Sequence, residues 1–586
     1  MNPFRKYWDL LSRYIRPQTR RFALLSGLLL FSITLQVVNP QIMRYFIDTA
    51  LSSGTDQKLL LAAAFFIGIA LLQQGVSISV TYLGENVAWT ATNALRAELA
   101  RHCLNLDMDF HNAHTPGELI ERIDGDVTEL ATFFSQFVIT LVGNGLLMVG
   151  IVLALFREDW VAGLAFALFS VAALALLNRV RDIAVGHQKA RRQAEADLVG
   201  FVEEQLNGTE DIRASGAIEH AMRGLHTHSR TLLEKQRKAQ IIGGIAWNTT
   251  TVFLLFSLAA AMGLGGLLFL DGRITLGTLY IIFNYTSLLR TPIEQISRQM
   301  QDLQQAAAGI ARIADLLSTR STLVDGPGVP IPGGMPAAVG LTVEFDRVSF
   351  GYIAEEPVLR DVTFTLRPGE VLGLLGRTGS GKTTITRLLF RLYDPTAGVI
   401  RLGGVDLRAA HIADVRRHVG VVTQDIQLFH ASVRDNLTFF DAAIPDARVI
   451  QVLADLGLDD WLARLPRGLD TKLAPRAAGL SAGEAQLLAF ARVFLCDPGL
   501  VILDEASSRL DPATERRLEH AITRLLAGRT GIIIAHRLGT VQRADTILVL
   551  EDGRCQEYGP RAALERDPAS RFAGLLRSAG LEEVPA

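Results

Sequence analysis

The stretch Val371-Leu-Gly-Leu-Leu-Gly376-Arg-Thr-Gly-Ser-Gly-Lys382-Thr383 decides the architecture of the second half of this chain. Its first five residues predict a buried strand, and from Gly376 it matches the pattern G-x-x-x-x-G-K-[ST], with a helical pattern following. In that pattern the glycines let backbone N–H groups turn toward phosphates, the lysine adds a positive charge, and the hydroxyl can ligate Mg²⁺. A plain glycine-rich turn is the alternative interpretation, but a strand before the loop and a helix after it favour phosphate binding.

This loop supplies most of the predicted phosphate contacts. They are Gly376, Arg377, Thr378, Gly379, Ser380, Gly381, Lys382, Thr383 and Thr384. Farther along, the apolar run Leu500-Val-Ile-Leu is followed by Asp504 and Glu505. Two acids at the end of a strand often cap a helix. Beside a phosphate-binding loop, however, Asp504 is placed to bind Mg²⁺ and Glu505 to polarise an attacking water.

The composition indicates that apolar residues are concentrated in one part of the chain. Of 586 residues, 49% are hydrophobic and 20% are charged, and the mean hydropathy is +0.26, whereas soluble domains carry about 25% charged residues. A Pro/Gly-rich stretch at 326–334 separates an apolar half from a half with alternating strand and helix patterns. We therefore predict a membrane domain over 1–318, a linker over 319–340 and an α/β domain over 341–586.

Six apolar segments of the first half approach or exceed the length needed to cross about 30 Å of hydrocarbon. They cover residues 22–38, 59–82, 133–156, 161–177, 251–270 and 276–289, the last interrupted by Asn284. Buried helices of a soluble protein are the alternative, but several nearly uncharged runs of this length are typical of transmembrane helices. A soluble ATPase that merely docks at a membrane is excluded on the same ground.

Basic residues set the predicted orientation. Residues 179–247 hold eleven Lys and Arg, whereas the connections at 157–159 and 271–273 are short. Because segments rich in Lys and Arg stay in the cytoplasm, we expect a multi-pass protein of the inner (cytoplasmic) membrane, with both termini and the α/β domain inside. The long connections at 84–132 and 179–247 predict helices that extend beyond the bilayer and turn near 111–117 and 207–210, where they could touch the α/β domain.

Other features are less specific. Phe4, Trp8, Leu11 and Ile15 share one helical face, which suits a helix on the membrane surface or a packing stripe. The net charge of -2 gives no indication of nucleic-acid binding. Three scattered cysteines exclude a disulfide framework and a cysteine metal site; they are Cys103, Cys496 and Cys555.

The order of further motifs resembles the nucleotide-binding domain of ATP-binding cassette (ABC) transporters, and the resemblance extends through all 586 residues. The matching positions are Tyr352 after Val348-Ser-Phe-Gly, Gln424 in Val-Val-Thr-Gln-Asp, Ser481-Ala482-Gly483-Glu484 where the family signature has Ser-Gly-Gly-Gln, Asp511 after Ser508-Arg-Leu, and His536. Each match is weak alone, but all occur in the family's order. Fusion to six membrane segments resembles an exporter-type half-transporter.

The resemblance implies a fold, cofactors and residue roles. The fold would be six transmembrane helices plus an α/β P-loop NTPase domain with antiparallel β and helical subdomains, and the cofactors would be ATP and Mg²⁺. The implied roles are adenine stacking for Tyr352, Mg²⁺ sensing for Gln424 beside Thr383 and Asp504, catalysis by Glu505 and His536, and nucleotide contacts from Ser481, Gly483 and Asp511. A second half-transporter would face this one head to tail, with each ATP between one phosphate loop and the other signature.

The signature departs from the family pattern. Ala482 adds a methyl group, and Glu484 brings a carboxylate toward phosphates, which opposes their binding. The preceding residues 471–476 also lack the acid and glycines that the family usually shows. Two interpretations follow: a heterodimer, which we favour, in which Glu505 serves the one competent site completed by the partner's signature, or a homodimer that tolerates the change.

The leading functional prediction is ATP-driven export, by alternating access, of an apolar or amphipathic substrate such as a drug, lipid or peptide. A siderophore-type importer or an ATP-gated regulator on the same scaffold is the alternative. Predicted partners are a second subunit, membrane lipid and the substrate, with no nucleic acid. Polar residues in or near the spans either face a cavity or make helix–helix hydrogen bonds; they are Asn39, Gln41, Asn144, Asn178, Asn248, Asn284 and Arg290.

Overall fold

The computed structural model describes residues 12–14, 16–52, 55–332, 340–353, 355–423, 426–473, 480–504, 512–534 and 538–578. The chain divides into two compact units. The helical unit comprises Met1–Leu104 and Thr115–Thr319, and the α/β unit comprises Asn105–His114 and Arg320–Ala586. A short segment from the first half of the sequence therefore belongs to the α/β unit.

Long helices dominate the first half of the chain because its apolar runs contain few helix-breaking residues. The helices are α1 (Thr19–Leu51), α2 (Asp56–Asn105), α3 (Met108–Ala113), α4 (Pro116–Ile120), α5 (Asp126–Gln136), α6 (Gly143–Glu158), α7 (Trp160–Asn207), α8 (Thr209–Ala214), α9 (Ile218–Leu270) and α10 (Leu276–Ser318). A 3₁₀ turn at Arg16–Gln18 precedes α1, and π-helical segments at Glu121–Gly125 and Phe137–Val142 flank α5.

Each predicted membrane segment lies in one of these helical runs. Within the described residues, four helices are long and apolar enough to cross a membrane: Arg16–Leu51, Asp56–Asn105, Thr140–Glu158 and Thr251–Leu270. Trp160–Leu176 is a shorter apolar helix. The segment at the start of α10 is followed at once by Arg290 and Thr291, so its apolar character is the weakest of the six. The first half of the chain is therefore helical, as predicted, and four of its helices have the length and composition of membrane spans.

Hydrogen bonds and ion pairs tie the helix ends together at one end of the helical unit. Asp48, near the end of α1, accepts hydrogen bonds from Thr275 Oγ1 at 2.9 Å and from the Gly277 N–H at 3.0 Å. Asp159 caps α7 and forms a 2.6 Å ion pair with Arg273 in the connection before α10. Side chains distant in sequence thus fix the ends of α1, α7 and α10 relative to one another.

The predicted turns of the long connections are present. The first lies around the short helix α3, and the second is Gly208 followed by α8. The predicted amphipathic face of Phe4, Trp8, Leu11 and Ile15 lies outside the described residues.

Two sheets form the frame of the α/β unit. The strands are β1 (Val343–Phe350), β2 (Leu359–Leu366), β3 (Val371–Leu375), β4 (Ala397–Leu402), β5 (Val405–Asp406), β6 (Val419–Val422), β7 (Leu500–Asp504), β8 (Thr530–Ile534), β9 (Thr546–Glu551) and β10 (Arg554–Pro560). The smaller sheet is antiparallel with the order β2-β1-β4-β5, and the larger has the order β10-β9-β3-β8-β7-β6. Among the described strands of the larger sheet, β10 alone is antiparallel to its neighbour, and the others pair in parallel.

Helices cover these sheets. They are α11 (Lys382–Leu389), α12 (Ile412–His418), α13 (Val433–Thr438), α14 (Asp446–Asp455), α15 (Asp459–Arg464), α16 (Ala482–Cys496), α17 (Pro512–Leu526), α18 (Arg561–Arg566) and α19 (Arg571–Ser578), with 3₁₀ turns at Gly468–Asp470 and Leu538–Arg543. Val501 and Leu503 of β7 pack into one apolar core, and Leu500 and Ile502 pack into another. Strands buried on both faces explain the nearly continuous apolar runs of the sequence.

The segment around α3 is held in the α/β unit by specific polar contacts. Asp107 accepts hydrogen bonds from the N–H of Thr322 at 2.6 Å and from its hydroxyl at 3.0 Å, and it also caps α3 at Phe110. Asn112 donates to the Tyr393 hydroxyl at 2.9 Å. Burial alone would raise the pKa of Asp107, but the hydrogen bonds from Thr322 and Phe110 outweigh it and hold the pKa below its ordinary value.

Candidate functional site

The glycine-rich loop after β3 has a backbone that only glycine fits. Gly376 and Gly381 have φ angles of +154° and +106°. A Cβ on Gly376 would lie 2.2 Å from the carbonyl oxygen of Leu550, and one on Gly381 would lie 2.6 Å from a methyl carbon of Leu359. α11 begins immediately after Gly381, which offers no side-chain cap to the helix. No side chain therefore offsets the partial positive charge at the start of α11, where a phosphate can bind.

Lys382 and Ser380 complete the charge and polarity of this loop. Lys382 is only 6% exposed, and its ammonium group donates to the carbonyl oxygens of Gly376 at 2.7 Å and Arg377 at 2.9 Å. The buried hydroxyl of Ser380 has no hydrogen-bond partner among the described residues. A buried unpaired hydroxyl beside a buried cation and an uncapped helix start fits a phosphate group.

Tyr352 is fixed over the first turns of α11. Its hydroxyl lies 3.1 Å from the Thr384 hydroxyl and accepts a 3.0 Å hydrogen bond from Arg387. The Arg387 guanidinium carbon is 5.6 Å from the centre of the Tyr352 ring, and Phe350 and Tyr393 pack edge-on against that ring. The residue predicted to stack on adenine therefore lies beside the phosphate loop.

The strand register brings the predicted catalytic segments to one edge of the larger sheet. In the parallel ladders, Ile534 of β8 pairs with both Leu374 of β3 and Asp504 of β7. The phosphate loop, which follows β3, and Asp504 consequently lie at the same edge. Other predicted residues follow the same strand ends in sequence but lie outside the described residues; they are Gln424, Glu505, Asp511 and His536.

The start of α16 differs from that of α11. The Ser481 hydroxyl accepts from the Glu484 N–H at 3.1 Å and donates to the Glu484 carboxylate at 2.9 Å, and the same carboxylate accepts from the Ser481 N–H at 2.9 Å. Glu484 also lies 3.6 Å from Arg464. Gly483 is buried, and a Cβ there would lie 2.2 Å from Thr514. The predicted capping box is present, and its carboxylate already occupies the helix N-terminus.

Two arginines of this region, Arg387 and Arg492, have contacts that the sequence motifs do not indicate. Arg387 follows Thr384 by about one helical turn, which could have indicated its place beside Tyr352. Arg492 is a lone cation in the apolar helix α16, and it donates to the carbonyl oxygens of Asn436 at 2.8 Å and Gln427 at 2.9 Å. Burial lowers the pKa of Arg492. Its contacts join the signature helix to the segment that follows Gln424.

The polar residues predicted in the spans differ in their hydrogen-bond partners and in their exposure. Gln41 donates to the Tyr285 hydroxyl at 3.3 Å, and Asn144 donates to the Gln295 side chain at 2.6 Å, so both make helix–helix hydrogen bonds. Arg290 forms a 3.0 Å ion pair with Glu294 on the same helix. Asn39 is half-buried, Asn284 donates to Tyr280, Asn248 is exposed, and the side chain of Asn178 is not among those described.

Comparison with known proteins matches both units. Residues 23–293 match the family model described as ABC transporter transmembrane region, and residues 359–508 match the model described as ABC transporter. An ATP-dependent lipid A-core flippase of Pseudomonas fluorescens is 30% identical over 98% of this chain and 96% of its own length. An uncharacterized ABC transporter ATP-binding protein of Bacillus subtilis, YfiC, is 29% identical over 96% of this chain and 92% of its own length.

A solved structure shows the same fold. It is that of a bacterial Atm1-family ABC exporter with ATP bound, with a TM-score of 0.80 and 24% sequence identity, over 97% of this chain and 99% of the other. The matched 97% of this chain includes residues of both units.

Proposed function

Because this chain belongs to the ABC transporter family, as an exporter-type half-transporter whose ATPase is coupled to transport, we propose that it is one subunit of a dimer that exports an amphipathic molecule. The observation that carries this proposal is the uncapped start of α11 beside Lys382 and Ser380. This helix start can bind a phosphate, and it lies at the sheet edge where Asp504 ends β7. Domain limits of 1–318, 319–340 and 341–586 remain part of the proposal.

The residues of the loop fit ATP and Mg²⁺. Backbone N–H groups of the loop and Lys382 would hold the phosphates, with Tyr352 against the adenine. The proposed Mg²⁺ ligands are the Thr383 hydroxyl, the Asp504 carboxylate and the Gln424 side chain. They supply oxygen atoms, which Mg²⁺ prefers. ATP supplies the phosphoanhydride bond whose hydrolysis drives transport. Glu505 would orient and polarise the attacking water. His536 would contact the terminal phosphate.

A dimer follows from the incomplete site on one chain. The phosphate loop needs a second surface to enclose the nucleotide, and the start of α16 is the surface that the family supplies from the partner. In this chain Glu484 places its negative charge on that helix start, which satisfies the Ser481 hydroxyl and opposes a second anion. We therefore favour a heterodimer in which this chain contributes the catalytic loop and the partner contributes the competent signature.

The homodimer remains the competing hypothesis for a specific reason. A glutamine at the position of Glu484 could form the same capping box, so the box alone does not make the site inactive. Purification of this chain without any other subunit separates the two hypotheses. We expect weak ATP hydrolysis from the chain alone, and robust transport-coupled hydrolysis by a pure homodimer would contradict the heterodimer.

The membrane topology is proposed from the charge pattern. Basic residues are concentrated in 179–247, so we place both termini and the α/β unit in the cytoplasm and the chain in the cytoplasmic membrane. The α/β unit holds α3 through Asp107 and Asn112, so closure of two ATP-binding units would move α3. That movement would change the side of the membrane to which the substrate cavity opens. Accessibility of single introduced cysteines to an impermeant thiol reagent in intact cells tests this orientation.

One transport assay in membrane vesicles tests both the direction of transport and the class of substrate. The Pseudomonas fluorescens relative is named for the flipping of lipid A-core, which supports an amphipathic lipid as the substrate class. We expect ATP-dependent accumulation of a fluorescent phospholipid in inverted membrane vesicles, and loss of that accumulation in the Glu505→Gln variant. Accumulation in right-side-out vesicles instead would indicate import.

A further inference from the structure

Arg387 lies in the last turn of α11, the helix that begins at the phosphate loop. Its Nη1 donates a 3.0 Å hydrogen bond to the Tyr352 hydroxyl, and its guanidinium carbon is 5.6 Å from the centre of that ring. The side chain is exposed, and among the described residues it forms no ion pair and no other hydrogen bond. Its polar contact within the described chain is therefore with the residue that we place against adenine.

A second arginine of the same unit shows the more common arrangement. Arg417 occupies the last turn of α12, and its side chain is 67% exposed. It lies 3.7 Å from Asp414, three residues earlier on the same helix. Exposed pairs of this kind contribute little to stability. Arg387 has no carboxylate at ion-pair distance in the described part of the chain, so a solvated ion pair does not explain its position.

The Tyr352 ring requires support because it lies in a connection between strands. β1 ends at Phe350, and β2 begins at Leu359. Phe350 and Tyr393 pack against the ring, with ring centres 5.0 and 5.2 Å away. Arg387 holds the hydroxyl at the far end of the side chain, and the position of that hydroxyl fixes the long axis of the ring.

α11 joins this support to the phosphate site. Lys382 begins the helix, and Arg387 follows five residues later, which is about 7.5 Å along the axis at a rise of 1.5 Å per residue. The Tyr352 hydroxyl also lies 3.1 Å from the hydroxyl of Thr384 in the first turn. The buried apolar residues that anchor the helix are Ile385, Leu388 and Leu389. One anchored helix thus carries the phosphate-binding lysine in its first turn and the arginine that holds Tyr352 in its last.

We propose that Arg387 is a positioning residue for nucleotide binding, which holds the Tyr352 ring in the orientation that receives adenine. The inference rests on the proposed stacking of adenine on Tyr352, and it names the residue that prepares this surface. Arg387 acts through the Tyr352 hydroxyl, so it strengthens the binding of the base and not that of the phosphates. A surface that is already ordered binds more tightly, because the ligand does not have to order it.

The test uses the full-length chain, together with any subunit that copurifies with it. The KM and kcat of ATP hydrolysis are measured, and tripolyphosphate, which lacks the base and the sugar, is added as a competitive inhibitor. We expect Arg387→Met to raise the KM for ATP about fivefold, the effect of one hydrogen bond, and to leave kcat at saturating ATP unchanged. The inhibition constant of tripolyphosphate should keep its wild-type value, which also shows that the phosphate loop of the variant is folded.

Three further variants locate the effect. Tyr352→Phe removes the hydroxyl and keeps the ring, so Arg387→Met should raise the KM little further in that background. Arg387→Lys keeps a cation and a donor, and it should restore part of the affinity for ATP. Arg417→Met removes an exposed arginine from the corresponding turn of α12, and it should leave the KM unchanged.

Five results would overturn the inference. They are an unchanged KM in Arg387→Met, a fall in kcat without a rise in KM, an equal weakening of tripolyphosphate inhibition, an equal rise of the KM in Arg417→Met, and an undiminished effect of Arg387→Met in the Tyr352→Phe background.

Tyr352→Leu distinguishes failure of this inference from failure of the proposed adenine site. A raised KM in Tyr352→Leu with an unchanged KM in Arg387→Met would exclude the role of Arg387 alone. An unchanged KM in Tyr352→Leu would exclude the stacking of adenine on Tyr352 as well.

Discussion

Two helices of the α/β unit begin in opposite ways. α11 starts after Gly381, which has a left-handed backbone and no side chain to cap the helix, whereas α16 starts after Ser481, whose hydroxyl and N–H both bond to Glu484. Every helix N-terminus carries unpaired N–H groups and a partial positive charge. In α11 no side chain offsets this charge, so that a bound anion can, and in α16 the chain supplies the anion itself. The same physical feature thus serves as a binding site at one place and as a closed cap at the other.

The largest effect is expected from Lys382→Ala. It removes the only cation that the described part of the loop buries, so we expect ATP affinity to fall about 100-fold, which corresponds to about 2.7 kcal/mol. Binding of a fluorescent ATP analogue to the purified protein measures this. The control is Lys472→Ala, which removes an exposed lysine of the same unit. An Lys382→Ala variant that binds ATP normally would show that the start of α11 is not the phosphate site.

A smaller loss is expected from the shape of the loop. Gly376→Ala places a methyl group 2.2 Å from a backbone oxygen and should distort the loop at a cost of about 1–3 kcal/mol. In Gly379→Ala the new methyl group meets no atom within 4 Å, so only its positive φ of +85° opposes the change. We expect ATP affinity to fall more in Gly376→Ala than in Gly379→Ala. Equal affinities would mean that the close approach to Leu550 does not hold the loop.

We expect a smaller free-energy change from removing the cap of α16 than from changing the phosphate loop. Ser481→Ala removes the hydroxyl that bonds to the Glu484 N–H, at a cost of about 1 kcal/mol. The first thermal transition should therefore fall by about 2–4 °C. Glu484→Gln keeps a side-chain acceptor at the same position, so its transition should stay near the wild-type temperature. A larger fall in Glu484→Gln than in Ser481→Ala would show that the charge, and not the hydrogen bonds, stabilises the helix start.

The stability contributed by a third cap, that of α3 by Asp107, should depend on pH. Asp107 is ionised and hydrogen-bonded in the folded chain, and its pKa is held below its ordinary value. Its contribution to stability is therefore present at pH values above the unfolded pKa of about 3.9. That contribution is lost as the pH falls through the lower folded pKa. We expect an effect of about 1 kcal/mol, because the buried carboxylate keeps its hydrogen bonds only while it is ionised.

The measurement for this cap is amide hydrogen exchange of residues 105–114 at pH 7 in wild type and Asp107→Asn. Faster exchange in the variant is expected, since an amide side chain replaces a charged acceptor for Thr322. Unchanged exchange would mean that Asn112 and the apolar contacts of Met108 are sufficient to hold α3.

The sequence alone predicted what depends on local pattern. The phosphate loop, the membrane segments and the Ser481–Glu484 capping box are each encoded within about twenty consecutive residues, so spacing and hydropathy were enough to predict them. The contact between Asn112 and Tyr393 joins residues 281 positions apart, and no pattern in one sequence reports it. The sequence indicates Arg290 as a polar group near a span, but its ion pair with Glu294 is a finding of the structure.

The most direct test of the central claim is the ATP turnover of this chain purified alone, compared with its turnover together with the subunit that copurifies from native membranes. The claim is that α11 offers a phosphate site while α16 is closed by Glu484. It predicts that turnover of the chain alone is at least about tenfold lower, a difference of about 1.4 kcal/mol in activation free energy. It also predicts that Ala482→Gly combined with Glu484→Gln raises the turnover of the chain alone. Rapid, transport-coupled hydrolysis by the unmodified chain alone would contradict the claim.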